Sequence, residues 1–173
     1  MALLEIATVP NPVLRRKAHK ITAVDKDLQT LIEDMIETMR DAPGVGLAAP
    51  QVSQSIRLIV VEYGEDEEDE EKVTQAKKLY VVINPEIIEA SEEKVTGTEA
   101  CLSVIGLAGE VERHERVVVK GLNRFGRPTK IKAEGWLARI FQHEIDHLDG
   151  VLFTDLATQV WKPTKEEAAT LKD

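Results

Sequence analysis

The sequence is short of cysteine, of long apolar runs and of positive charge, and each shortage narrows what the chain can be. Cys101 is the only cysteine in 173 residues, so no intrachain disulfide can form and a reducing compartment is expected. No apolar run approaches the roughly 20 residues that cross a bilayer, so no membrane partner is expected. A formal net charge of -9 argues against phosphate contacts as the basis of function, and DNA is not an expected partner. Seven of the acids lie in one run, Glu65 to Glu71. Residues 64–78 are accordingly expected to form an exposed acidic loop, since they lack the spaced acids and central glycine of a calcium loop. Internal repeats are absent. The opening residues Met1-Ala2-Leu3-Leu4-Glu5 carry no basic segment before their apolar residues, so a secretory leader is not expected and the cytoplasm is.

What remains is the composition of one globular domain spanning 1–173, at 43% hydrophobic and 31% charged residues. Leu28, Leu31, Ile32, Met35 and Met39 recur at helical spacing and predict an amphipathic helix from about Asp25 to Asp41, ended by Pro43-Gly44. Strands are predicted over Ile56–Tyr63 and Leu79–Ile83, then a turn at Asn84-Pro85, then a further strand over Glu86–Val95. Val117–Val119 and Thr129–Ile131 flank Asn123-Arg124-Phe125-Gly126-Arg127 and read as a hairpin. A second helix is predicted from Gly135 to Leu148, with Leu137, Phe141, Ile145 and Leu148 as its core stripe. Residues 162–173 form a polar tail, helical or frayed.

That second helix carries the chemistry. His143-Glu144-Ile145-Asp146-His147 is an H-E-x-x-H motif, whose histidines project within roughly 40° of each other and can share one metal ion. Glu144 lies about 100° further round, where a carboxylate can take a proton from water and return it to a leaving group. Trp136 and Ile140 share the histidine side and could wall a substrate pocket. Cys101 has two readings, a small buried hydrophobe or a thiolate ligand. Gly44-Val45-Gly46-Leu47-Ala48-Ala49-Pro50-Gln51 is either a tight connection after a helix or a stretch of small residues that lets backbone approach a ligand. His19 and His114 have no partners at metal-binding spacing and are expected on the surface.

Together, Gly44 to Gln51, Glu99-Ala100-Cys101-Leu102-Ser103 and Gln142 to Leu148 resemble, in order and spacing, the three signature motifs of the peptide deformylases. The resemblance runs from Pro10 to Phe153. It implies an α+β fold with antiparallel sheets around a central metal-binding helix. It also implies Cys101, His143 and His147 as metal ligands, Glu144 as general base and acid, and Gln51 with the backbone N–H of Leu102 as oxyanion donors. An extended peptide would lie beside Gly44, Val45, Gly46 and Gly106, with its methionine side chain near Trp136, Leu137 and Ile140. The cofactor implied is one divalent ion, Fe2+ first and Zn2+ or Ni2+ as alternatives. The substrate is the N-formylmethionyl end of a nascent polypeptide, with a transient contact to the ribosome. Ala100 and Ile105 depart from the family pattern, at positions where glycine and proline are usual.

Two other readings compete. A zincin-type protease would need a downstream third ligand, yet no histidine follows His147, and Glu166 and Glu167 sit in the polar tail. A non-catalytic partner-binding protein would have no need of Cys101, Glu144 and Gln51 together.

Overall fold

A computed structural model describes residues 2–64 and 77–170. The acidic run falls outside the described residues, as do the last three of the tail. Helix α1 (Lys26–Asp41) buries Leu28, Ile32, Met35, Ile36 and Met39 on one face, as their spacing requires. Asp25 caps it by accepting the Leu28 N–H at 2.9 Å. Upstream, Pro12–Arg15 closes a 3-10 turn, in which the Asn11 side chain accepts the Val13 N–H at 3.1 Å.

Five strands form one antiparallel sheet in the order β1 (Gly46–Ala48), β2 (Leu58–Tyr63), β3 (Lys78–Ala90), β6 (Arg116–Leu122), β7 (Pro128–Glu134). The strands β4 (Lys94–Cys101), β5 (Val104–His114) and β8 (Gln159–Trp161) form a second, also antiparallel. The turn expected at Asn84-Pro85 is instead a bulge within one long strand. Asn84 has φ 53 and its side chain both accepts from Ile21 N at 2.8 Å and donates to Ile21 O at 2.9 Å. Those two bonds hold the left-handed residue in place, so β3 shifts register between Ile83 and Glu86 and continues. The reversal comes later, where the Ser91 hydroxyl donates to Glu93 O and β4 then starts at Lys94.

Helix α2 (Gly135–Leu148) occupies its predicted span. Ala138, Phe141, Ile145 and Leu148 pack against Ile59, Val61, Val82, Val117 and Val119 of the five-stranded sheet. Each large side chain so buried is worth roughly 1.5–3 kcal/mol, which fixes the helix's rotation about its axis. Phe141 meets the Tyr80 ring edge-on at 5.4 Å. Leu137, expected in this stripe, is only partly buried at its border. At the helix's C-terminal end the Leu148 carbonyl accepts from Ala18 N at 2.7 Å and from Arg57 Nη1 at 3.0 Å. A partner and a positive charge thus meet the end of the helix that lacks the one and favours the other. Two short helices, α3 (Phe153–Leu156) and α4 (Lys165–Thr170), follow. No helix among the described residues is long and apolar enough to cross a membrane.

Gly150 ends α2 with φ +75, and a Cβ built there would lie 2.6 Å from the Arg15 carbonyl oxygen. Gly106 has a similar φ of +76 with nothing within 4 Å. Both alanine variants are expected to lose roughly 1–2 kcal/mol through backbone conformation, and Gly150→Ala should lose more because a backbone carbonyl must also move. Denaturant unfolding of the two variants checks this, and equal losses would mean that the contact at Arg15 relaxes without cost.

Candidate metal centre

Cys101 ends β4, while His143 and His147 lie one turn apart on α2. The sheet-to-helix packing brings the three together, with all their donor atoms within 4.8 Å of one another and all three residues buried. Cys101 Sγ stands 3.3 Å from His147 Nε2. His143 Nδ1 is held by Glu99 Oε1 at 2.8 Å, leaving Nε2 for the centre. His147 Nδ1 is buried and has no hydrogen-bond partner among the described residues.

Glu99 opens the Glu99–Ser103 motif, and nothing in the sequence marks the role that the structure gives it. It is 3% exposed and binds two guanidinium groups besides His143. Arg113 of β5 donates to both of its oxygens, at 2.9 and 2.8 Å, and Arg139 of α2 donates at 2.6 Å. Arg113 reaches on to Asp146 at 2.5 Å, and Arg139 to the carbonyls of Val111 and Val95. The guanidinium of Arg139 lies over Gly97, where any Cβ would meet Cζ at 2.8 Å. Neither arginine had a sequence signal. Their partner lies 14 and 40 residues away, with no local period to connect them.

The ionisation of these groups follows from their surroundings. Burial alone would raise the Glu99 pKa, but hydrogen bonds from Arg113 and His143 outweigh it and hold the carboxyl well below its usual range. Burial would lower His143, yet hydrogen bonds to Cys101 and Glu99 push it well up. His147 is pushed well down, by burial first and by the neighbouring His143 second. Positive charge is therefore favoured between Cys101 and Glu99, and a neutral imidazole is favoured at His147. A proton on His143 and a metal ion would compete for the same imidazole, and it is the donor set itself, one thiol and two buried imidazoles with donor atoms within 4.8 Å of one another, that fits a divalent ion.

Around the donors stand the other predicted residues. Glu144 is 2% exposed, and its carboxylate lies against β1 so closely that a Cβ on Gly46 would fall 2.4 Å from Oε2. Gln51 is fixed through Oε1, which accepts the Ala48 N–H at 2.9 Å, while Nε2 approaches Cys101 Sγ at 3.6 Å and Ser103 Oγ at 3.1 Å. Leu102 is partly buried near Gly44, where an added Cβ would meet Cδ1 at 3.1 Å. Val45 lends its carbonyl to Glu62 N at 2.9 Å. Trp136 and Ile140 line a narrow cavity with Ala100, Arg139, His143 and Glu144, whereas Leu137 is not among its walls. Cys101 pairs with Val104 and Ala100 with Ala108, so residues 105–107 bulge out beside the thiol. Ile105 is 76% exposed there and Gly106 takes its positive φ. Ala100 is not among the positive-φ residues, so its methyl needs no unusual backbone. His19 is exposed, but His114 is half-buried, its Nδ1 2.7 Å from Ser91 O.

A mixed fold of helices and antiparallel sheets that sets this donor cluster beside the buried Glu144 carboxylate has the parts of a metal-dependent hydrolase. The chain belongs to the polypeptide deformylase family, whose model matches residues 3–162. It is 52% identical over 167 residues to the peptide deformylase of Symbiobacterium thermophilum, covering 96% of this chain and 72% of that one. With the peptide deformylase of Natranaerobius thermophilus it shares 48% over 162 residues, covering 94% and 97%. Its fold matches the crystal structure of peptide deformylase from Thermotoga maritima with a TM-score of 0.81 at 41% identity, covering 91% and 99%.

Because Gly46 leaves room for the Glu144 carboxylate, Gly46→Ala should displace that carboxylate while leaving the three donors in place. Turnover of a formylated peptide is expected to fall on the order of 100-fold, with metal content unchanged. Steady-state kinetics beside metal analysis checks this, and full activity would mean that the position of Glu144 is not critical.

Proposed function

We propose that this chain removes the formyl group from the N-terminal formylmethionine of newly made polypeptides, releasing formate, and that residues 1–173 act as one catalytic domain. The observation that carries the reading is the convergence of Cys101, His143 and His147 within 4.8 Å of one another, with Glu144 and Gln51 beside them. On this reading α2 is the central metal-binding helix, and the three residues hold one divalent ion. Ferrous iron is the proposed ion, with zinc or nickel able to replace it, since a thiolate with two imidazoles suits all three. When bound, such an ion acidifies water and draws charge from a carbonyl oxygen.

The chain's own residues supply the rest. Glu144, buried beside β1, takes a proton from the attacking water as its oxygen bonds to the formyl carbon. Negative charge then grows on the formyl oxygen. Gln51 Nε2 and the Leu102 N–H donate to it, and Gln51 is preorganised for this because Ala48 N holds its other end. As the carbon–nitrogen bond breaks, Glu144 returns the proton to the departing amine, leaving formate and a free N-terminus. One water is consumed and no other reactant is needed.

Substrate binding follows from the sheet edge. β1 is an outer strand of its sheet, so a peptide can add beside Gly44, Val45 and Gly46 with Gly106 across from it. Trp136 and Ile140 would wall the methionine side chain, with Leu137 at the border of the core behind them. The reduced, buried Cys101 suits the cytoplasm, and a nascent substrate implies a transient contact with the ribosome. Nothing observed favours a non-catalytic partner-binding protein.

The test is formate release from a formyl-methionyl peptide, with metal content measured on the same preparation. Glu144→Gln is nearly isosteric but cannot carry the proton, so it should keep metal and fold while losing turnover by roughly 10²–10⁴-fold. Undiminished turnover in the metal-loaded variant would remove Glu144 from the reaction.

A further inference from the structure

The chemistry of a formyl-capped residue fixes where its side chain must go. That side chain hangs from the carbon bonded to the formamide nitrogen, so it lies beside the groups that act on the formyl carbon. The cavity that adjoins both His143 and Glu144 is the narrow one with Trp136, Ile140 and Ala100 in its walls. Its volume is about 10 Å³, room for about one water molecule. A methionine side chain, with its methylenes, sulfur and terminal methyl, is far larger than that. One of the walls must therefore move before a formylmethionyl peptide can seat.

Most of the walls are held. Ala100 is paired with Ala108 across the β4–β5 ladder, and Ile140 is buried in the core that α2 makes with the five-stranded sheet. Arg139 is bonded to Glu99 and to the carbonyls of Val111 and Val95, and Glu144 is pressed against Gly46. Trp136 differs. Its side chain is half-buried, so part of the ring already meets water. It is the second residue of α2, and Gly135 before it has nothing within 4 Å of where a Cβ would stand, so the helix's first turn is uncrowded. Its indole Nε1, although buried, has no hydrogen-bond partner among the described residues. A buried donor left unpaired destabilises the position that buries it, and a turn of the ring towards water would satisfy it. The attraction that opposes such a turn comes from the Arg139 guanidinium, whose Cζ lies over the ring at 5.5 Å, close to the limit of about 6 Å for a cation–π contact.

We propose that Trp136 is a movable wall that selects the first residue of the substrate. In the position described, its ring closes the pocket beside Glu144; when a methionine side chain enters, the ring turns towards solvent and its displaced edge becomes the pocket's outer wall. This rests on the deformylase reading, which supplies the substrate. An unbranched, flexible side chain can pass the displaced edge, whereas a rigid aromatic one would need the place that the indole still occupies. Trp136 thus decides which side chain is admitted and takes no part in the chemistry at the formyl carbon.

Tryptophan fluorescence tests this directly. The chain has two tryptophans, Trp136 and Trp161, so Trp161→Phe leaves Trp136 as the sole indole emitter. In the metal-loaded full chain that also carries Glu144→Gln, to hold peptide without turnover, formyl-Met-Ala and formyl-Ala-Ala are compared at saturation, with binding followed by calorimetry. The methionyl peptide should shift the emission to longer wavelength and raise its quenching by acrylamide. The alanyl peptide, whose methyl needs little more room than a water, should leave both near their starting values. Binding of the methionyl peptide with quenching unchanged or lowered would overturn the proposal, since the ring would then be a fixed wall. Equal shifts with both peptides would overturn it as well, because the ring would be answering to the peptide backbone. Binding of neither peptide to the metal-loaded protein would remove the deformylase reading and the proposal together, so the two failures are told apart. A second measurement reads the selection itself. Trp136→Ala, with Glu144 intact, should raise kcat/KM for formyl-Phe-Ala relative to formyl-Met-Ala by roughly tenfold, the lower range for a changed apolar pocket. An unchanged ratio in the folded, metal-loaded variant would overturn the assignment of Trp136 as the selecting residue.

Discussion

A carboxylate sealed from water costs several kcal/mol unless charges and donors surround it, and Glu99 is surrounded on every side. Arg113 fixes it to β5, Arg139 and His143 fix it to α2, and its own strand ends two residues later at Cys101. One side chain therefore couples the three-stranded sheet to the helix. The coupling is also directional, because accepting from His143 Nδ1 turns the opposite ring nitrogen towards the thiol. Apolar packing sets where α2 lies to within a rotamer or so, and the Glu99 network sets the sub-ångström aim that three convergent donors need.

The same logic explains the small residues opposite. The first residue of β1 must bring its backbone against a buried carboxylate, and only glycine at 46 leaves that space, since any Cβ would overlap Glu144. Gln51 is then anchored by the backbone of Ala48, three residues before it. The centre is thus assembled from short-range fixtures, each on a rigid element, with long-range ion pairs holding the elements in register.

Sequence reasoning reached those parts that repeat or that form local motifs. The span of α2 and the buried face of α1 were legible because apolar residues recur at the helical period, and the β6–β7 hairpin because Gly126 marks its turn. Donors that meet within 4.8 Å were legible in pairs, the histidines by spacing and Cys101 through its surrounding motif. Asn84-Pro85 misled because its turn chemistry serves a bulge stabilised by Ile21, 63 residues away. β4 beyond Val95 and the whole of β5 carry no legible strand signal, because Thr, Gly, Glu and Ala obscure their alternation. Glu99, Arg113 and Arg139 could not be linked at all, since ion pairing across sheets leaves no period in the chain.

On the proposed metal site, Glu99 would aim His143 at the shared ion, beyond merely stabilising the fold. Metal competition with a chromophoric chelator, measured on wild type and on Glu99→Gln at a temperature where both are folded, separates the two roles. The amide keeps the shape but loses the charge that orients the imidazole, so affinity for the ion should fall by roughly 10–100-fold. Wild-type affinity in a folded Glu99→Gln protein would mean that Glu99 does not aim the imidazole and that packing alone positions the ligands.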